Sequence, residues 1–161
     1  MAGGVGARFW PLSRTNYPKQ FIDFLGVGKS LLQMTVSRFE NICPSENMYI
    51  VTNESYYDLV KKQVPQFTDE QIILEPMRRN TAPCIAYANY RIKKKNPNAN
   101  IVVAPSDHII FNEIAFVEHI QAALACAERN PWLLTLGIQP TRPDTGYGYI
   151  QYDEKNRYVP D

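Results

Sequence analysis

Residues 2–10 read Ala-Gly-Gly-Val-Gly-Ala-Arg-Phe-Trp, followed by Pro11, by Ser13-Arg14 and by Pro18-Lys19-Gln20. Gly3, Gly4 and Gly6 bare backbone amides, while Arg8 and Lys19 bring fixed positive charge to two places along one loop. A nucleoside triphosphate needs both: close backbone approach to its phosphate oxygens, and cations where negative charge builds up as pyrophosphate leaves. A lone Gly-Gly-x-Gly also reads as a plain flexible turn. Here Pro11 and Pro18 each fix a backbone dihedral and restrict the residue before them, which makes residues 10–20 a stiffened loop suited to preorganised binding.

Three further groups carry chemistry. Asp107, in Ala104-Pro-Ser-Asp-His108, follows an apolar run that ends where a sheet delivers ligand-binding loops. A magnesium ion bridging phosphate oxygens takes only one or two protein carboxylates, so one aspartate can be half of its site; a turn or helix cap is the plainer alternative. His108 suits a structural hydrogen bond, and His119 lies on an expected helix. Residues 75–83, Glu-Pro-Met-Arg-Arg-Asn-Thr-Ala-Pro, sit between a strand end and a helix start, with Asn80 and Thr81 able to cap that helix. Residues 140–150 hold Gly146-Tyr147-Gly148, a glycine turn that runs into strand aromatics.

The elements that must position these groups alternate. Ser30 is placed to cap a helix through about Asn41, and residues 48–52 are β-rich. Asn53 or Ser55 starts a second helix, stopped by Pro65, and residues 71–74 form a strand. Residues 81–95 form a long helix, residues 100–104 the clearest strand, 114–129 another helix and 133–138 a last strand. Such alternation predicts an α/β fold. A decoy lies at residues 26–30, Gly-Val-Gly-Lys-Ser, which imitate the end of a phosphate-binding P-loop. Asp23 stands where that motif requires glycine, and its carboxylate would repel phosphate.

Composition excludes several classes. A net charge of +1 leaves no basic excess for a nucleic-acid partner, and residues 91–95, Arg-Ile-Lys-Lys-Lys, read as a solvated helix end. No apolar run reaches membrane-spanning length. Three widely spaced cysteines with no metal-ligand spacing and no preceding signal peptide point to a reducing, cytoplasmic setting. At 161 residues and 45% hydrophobic, one domain is expected.

The run Gly-Gly-Val-Gly-Ala-Arg-Phe-Trp-Pro-Leu-Ser-Arg followed by Tyr-Pro-Lys-Gln-Phe resembles the signature of sugar-nucleotide pyrophosphorylases, specifically the mannose-1-phosphate guanylyltransferases, with Ala7 where a small hydroxyl residue is more usual. The resemblance implies a Rossmann-like nucleotide-diphospho-sugar transferase fold, with a mixed, mostly parallel sheet and helices on both faces. It implies GTP and mannose 1-phosphate as substrates, GDP-mannose and pyrophosphate as products, and Mg²⁺ as cofactor. Arg8 and Lys19 become the catalytic cations. Ala2, Gly3, Gly4, Gly6, Glu75, Asn80, Thr81 and Ala82 become nucleotide-binding residues, Gly146, Tyr147 and Gly148 sugar-phosphate-binding residues, and Asp107 the metal ligand. The family's catalytic domain is longer than this chain, so residues 1–161 are expected to be part of it, incomplete at both ends, with the first strand and the C-terminal part absent. Two other readings stay open: a pyrophosphorylase for another sugar phosphate or nucleotide, and a non-catalytic nucleotide-binding fragment. A homodimer is also left open.

Overall fold

In a computed structural model of the chain, residues 1–4, 9–77, 79–153 and 155 are described. Two strands, β1 (Ile50–Asn53) and β2 (Ile72–Glu75), pair in parallel with Ile50 opposite Ile72 and Asn53 opposite Glu75. They are joined through a short 3₁₀ turn and helix α2 (Tyr57–Gln63). Helix α1 (Leu31–Phe39) precedes β1, and α3 (Thr81–Lys95) and α4 (Glu113–Arg129) follow β2.

The period-2 geometry of the strands sorts their side chains onto two faces. Ile50 and Ile72 pack on one face with Leu32 and Val36 of α1, Val60 of α2, and Phe21, Tyr56, Val64 and Phe67. Val51 and Ile73 pack on the other with Cys84 and Ala88 of α3. Helices therefore cover both faces of a parallel sheet, as the α/β expectation required.

The layer continues past β1 through backbone hydrogen bonds. Ala2 N–H donates to Val51 O at 2.8 Å, the Met1 amine donates to Ala104 O at 2.8 Å, and Ser106 N–H donates to Met1 O at 3.1 Å. Met1 and Ala2 thus lie between β1 and the Ala104–Ser106 segment.

Residues 100–104 and 133–138 depart from expectation. Among the described residues neither run forms a strand. An apolar run becomes a strand only where its backbone meets a ladder. Here the pairing reaches Ala104 and Ser106 through Met1, while Val102 and Val103 stay 36% and 40% exposed. Leu133 and Ile138 are exposed as well.

The helices follow their local signals more closely. Ser30 Oγ accepts from Gln33 N–H at the start of α1 while Gln33 Oε1 accepts from Ser30 N–H, a reciprocal capping box. α1 closes at Phe39, two residues short of Asn41, and α3 spans Thr81–Lys95 as expected. α4 is capped by Asn112, whose side chain accepts from Ala115 N–H. It leans on α1 through an edge-on Phe39–Phe116 contact and through Glu113, which meets the buried Arg38 guanidinium at 3.1 Å.

Ser30 also donates to Gln63 Oε1 at 2.6 Å, and Gln63 Nε2 donates to Phe21 O at 2.7 Å. The cap is thereby wired to α2 and to the loop that carries Lys19. Ser30→Ala removes the cap and this link together, and is expected to lower stability by about 1–2 kcal/mol in urea unfolding.

Candidate functional site

The lysine loop is built so that successive residues have separate tasks. Lys19–Phe21 form one 3₁₀ turn after Pro18. Phe21 is buried against Tyr56, with ring centroids 5.8 Å apart, and Gln63 holds its carbonyl. Gln20, 2% exposed, turns the opposite way, and its Nε2 donates to Ala2 O at 2.8 Å and Gly4 O at 3.0 Å. Lys19 is left partly exposed, and its Nζ meets Asp107 Oδ2 at 2.6 Å. The same ammonium lies 5.2 Å from the Phe9 ring centroid.

Asp107 is placed by a segment distant in the chain. Ser106 is buried, and its N–H and Oγ both donate to Met1 O, at 3.1 and 2.7 Å. The glycine stretch, the lysine turn and the Pro105–Asp107 segment therefore meet around Met1–Gly4. Thr52, fully buried at the end of β1, adds a bond from its Oγ1 to Ala2 O at 3.1 Å. Of the sequence-derived site residues, Ala2, Gly3, Gly4, Lys19, Asp107 and Glu75 gather here.

Glu75, the last residue of β2, closes another side. A Cβ on Gly3 would meet Glu75 Oε2 at 3.1 Å, so glycine permits the close approach. Burial lowers the pKa of the Met1 ammonium, while Cys84, Asp107 and Glu75 act electrostatically to raise it. Both carboxylates thus surround the start of the glycine stretch. Gly6 and Arg8 lie outside the described residues.

Asn80 corrects one expectation. It occupies the N-cap position of α3, but its side chain makes no capping hydrogen bond, and its φ is +67°. With ψ at −169°, that is backbone space used almost only by glycine. Local strain of this kind gathers at ligand-contacting positions, and Thr81 and Ala82 beside it are exposed.

Gly146-Tyr147-Gly148 stands apart. Its shape comes from within residues 142–149: Asp144 Oδ1 accepts from Gly146 N–H at 2.8 Å, Arg142 pairs with Asp144 at 3.1 Å, and Tyr149 Oη exchanges bonds with the Asp144 backbone. These bonds tie the loop to itself and not to Asp107, and all three residues are exposed.

The P-loop decoy is settled by hydrogen bonding. Asp23 carboxylate oxygens accept from Val27 N–H at 3.0 Å and Gly28 N–H at 2.7 Å, taking amides that a phosphate would need.

Asp107 matches what Mg²⁺ asks of protein, one or two carboxylates completed by phosphate oxygens and water. Among the described residues no three His, Cys, Asp or Glu side chains converge as a metal cage. A single carboxylate beside the glycine and lysine segments suits a metal that would arrive with a bound nucleotide, provided Lys19 yields Oδ2. His108 Nε2 stands 3.8 Å from Asp107 Oδ1.

Gln20, Thr52 and Ser106 escaped sequence reasoning. All three are buried polar residues whose partners are main-chain carbonyls distant in the chain, and neither periodicity nor motif spacing reports such bonds. Cys84, legible in the sequence only as a thiol, is buried against Val51 and Ile73. Burial, reinforced by nearby Glu75, raises its pKa from 9.0 to about 11. Above pH 9 the unfolded thiol releases its proton while the folded one keeps it, so the unfolded state binds fewer protons and stability falls as pH rises from 9 towards 11. Urea unfolding across that window should show a loss on the order of 1 kcal/mol per pH unit that Cys84→Ala abolishes.

Known proteins resemble this chain along most of its length. The nucleotidyl transferase family matches residues 1–159. A mannose-1-phosphate guanylyltransferase of Salmonella montevideo is 46% identical over 153 residues, which cover 94% of this chain and 31% of that protein. A mannose-1-phosphate guanylyltransferase of Escherichia coli (strain K12) is 42% identical over 158 residues, covering 96% of this chain and 32% of that protein. The chain therefore spans about a third of the length of these relatives. Among solved structures, one described as a mannose-1-phosphate geranyltransferase from Thermus thermophilus is similar with a TM-score of 0.69 and 30% identity, over 80% of this chain and 37% of that one. With a glycine stretch, a lysine turn and an aspartate segment joined at one sheet edge, and a family match along nearly its whole length, the chain belongs to the nucleotidyl transferase family.

Proposed function

We propose that the full protein transfers a guanylyl group from GTP to mannose 1-phosphate. A phosphate oxygen of the sugar attacks the α-phosphorus in line, the bond from that phosphorus to the bridging oxygen breaks, and pyrophosphate departs, leaving GDP-mannose. The observation that supports this reading is the 2.6 Å contact between Lys19 Nζ and Asp107 Oδ2, a cation and a carboxylate of the kinds that phosphate and Mg²⁺ take, on segments that both bond to Met1–Gly4. The guanylyltransferase names of the relatives support the choice of substrates.

The attacking oxygen is already anionic, so the protein's task is to orient and neutralise rather than to remove a proton. Gly3, Gly4 and Gly6 offer main-chain amides to the nucleotide, Lys19 contacts the phosphate being transferred, and Arg8 stabilises the departing pyrophosphate. Asp107 would hold Mg²⁺, which when bound supplies positive charge to the phosphate oxygens. Glu75, Asn80, Thr81 and Ala82 line the approach for the guanine base. Gly146, Tyr147 and Gly148 serve the sugar phosphate, and this assignment requires their loop to close over the site. No helix among the described residues is long and apolar enough to cross a membrane, and Cys43, Cys84 and Cys126 are free.

The deciding experiment is pyrophosphate release and sugar-nucleotide formation by the full-length protein with each nucleoside triphosphate, against mannose 1-phosphate and glucose 1-phosphate. GTP with mannose 1-phosphate should be preferred, and a preference for another pair would replace this reading. Lys19→Ala, Arg8→Ala and Asp107→Asn should each lower kcat by about 10²–10³. Near-normal turnover in any of the three would remove that residue from its role.

A further inference from the structure

Among buried polar side chains near the site, Gln20 makes contacts that packing alone does not require. Both hydrogen bonds from its Nε2 go to carbonyls of the glycine stretch, Ala2 and Gly4, and the residue before it in the same 3₁₀ turn is Lys19. The turn has a firm footing on its other side, where Phe21 is buried and its carbonyl is held by Gln63 and by Tyr17 Oη, at 2.7 and 2.9 Å. A methionine or leucine of similar volume could fill the space of Gln20, but it would leave two main-chain carbonyls without their amide donor.

We infer that Gln20 is a positioning residue that holds Lys19 at a set distance from the glycine stretch. A nucleotide lying on Gly3 and Gly4 then presents its α-phosphate to an ammonium already in place. The inference deepens the proposed guanylyl transfer and rests on it. Gln20 touches no reacting atom and acts through Lys19. Misplacement of a catalytic group by about 1 Å costs on the order of 10²-fold in rate, so small drift of the turn is enough to matter.

Three measurements on the full-length protein test this. Gln20→Met keeps the volume and removes both bonds, and it should lower kcat by about 10- to 100-fold, with a smaller change in the KM for mannose 1-phosphate. Introduced into Lys19→Ala, the same substitution should cost about twofold or less, because the residue through which it acts is gone. Equal losses in the two backgrounds would overturn the inference, since a general weakening of the fold lowers turnover whether or not Lys19 is present. Reductive methylation of Lys19, followed by peptide mass spectrometry, should proceed faster in Gln20→Met than in the parent as the ammonium leaves its fixed place beside Asp107. An unchanged labelling rate would also overturn it. Should Gln20→Met fail to fold, Gln20→Asn retains the amide with a shorter reach and must show the same dependence on Lys19. Labelling needs no substrate, so it still decides the role of Gln20 if the protein proves to act on a different nucleotide or sugar phosphate.

Discussion

A short run of backbone, Met1 to Gly4, is the seam on which the rest of the structure depends. Its carbonyls and amides are claimed from several directions: Val51 and Thr52 from β1, Ala104 and Ser106 from beyond the sheet, and Gln20 from the lysine turn. A buried main-chain group without a partner costs as much as a lost hydrogen bond, so each of these neighbours must stay in register for the others to be satisfied. The geometry of the site is a by-product of that demand. Lys19 and Asp107 are far apart in sequence, and they meet because the segments carrying them bond to the same few residues.

The electrostatics follow from the same crowding. Asp107 and Glu75 bring negative charge to the start of the glycine stretch, and Lys19 answers Asp107 directly. Both members of this pair are partly exposed, so the contact adds little to stability. Deeper in, burial first and the Glu75 carboxylate second work against ionisation, and raise the pKa of the Cys84 thiol.

Much of this is legible in the chain itself. The Ser30 cap, the bounds of α3 and the exclusion of a P-loop all rest on bonds that reach no more than five residues. The β-rich character of residues 48–52 and 71–74 and the alternation of strand and helix are local properties too, and strands form there at Ile50–Asn53 and Ile72–Glu75. The departure at residues 100–104 has the opposite origin. Their apolar character is plain in the sequence, but a strand needs a neighbour along its length, and Met1 reaches only Ala104 and Ser106. Residue type puts Asn80 at the head of α3, whereas its positive φ and its lack of a side-chain capping bond belong to the fold.

The sequence by itself determined which residues could do phosphate chemistry, and the α/β alternation that would carry them, because residue type and short-range periodicity are local properties of the chain. Only the tertiary structure decided that Lys19 would sit on Asp107, that Gln20 would tie its turn to Ala2 and Gly4, and that Glu75 would close on Gly3. Each of these contacts joins segments separated by at least sixteen residues. Such contacts exist only after the sheet has brought its edges together, for an ion pair or a buried hydrogen bond is a property of two places in space, and the linear order of the chain does not contain the distance between them.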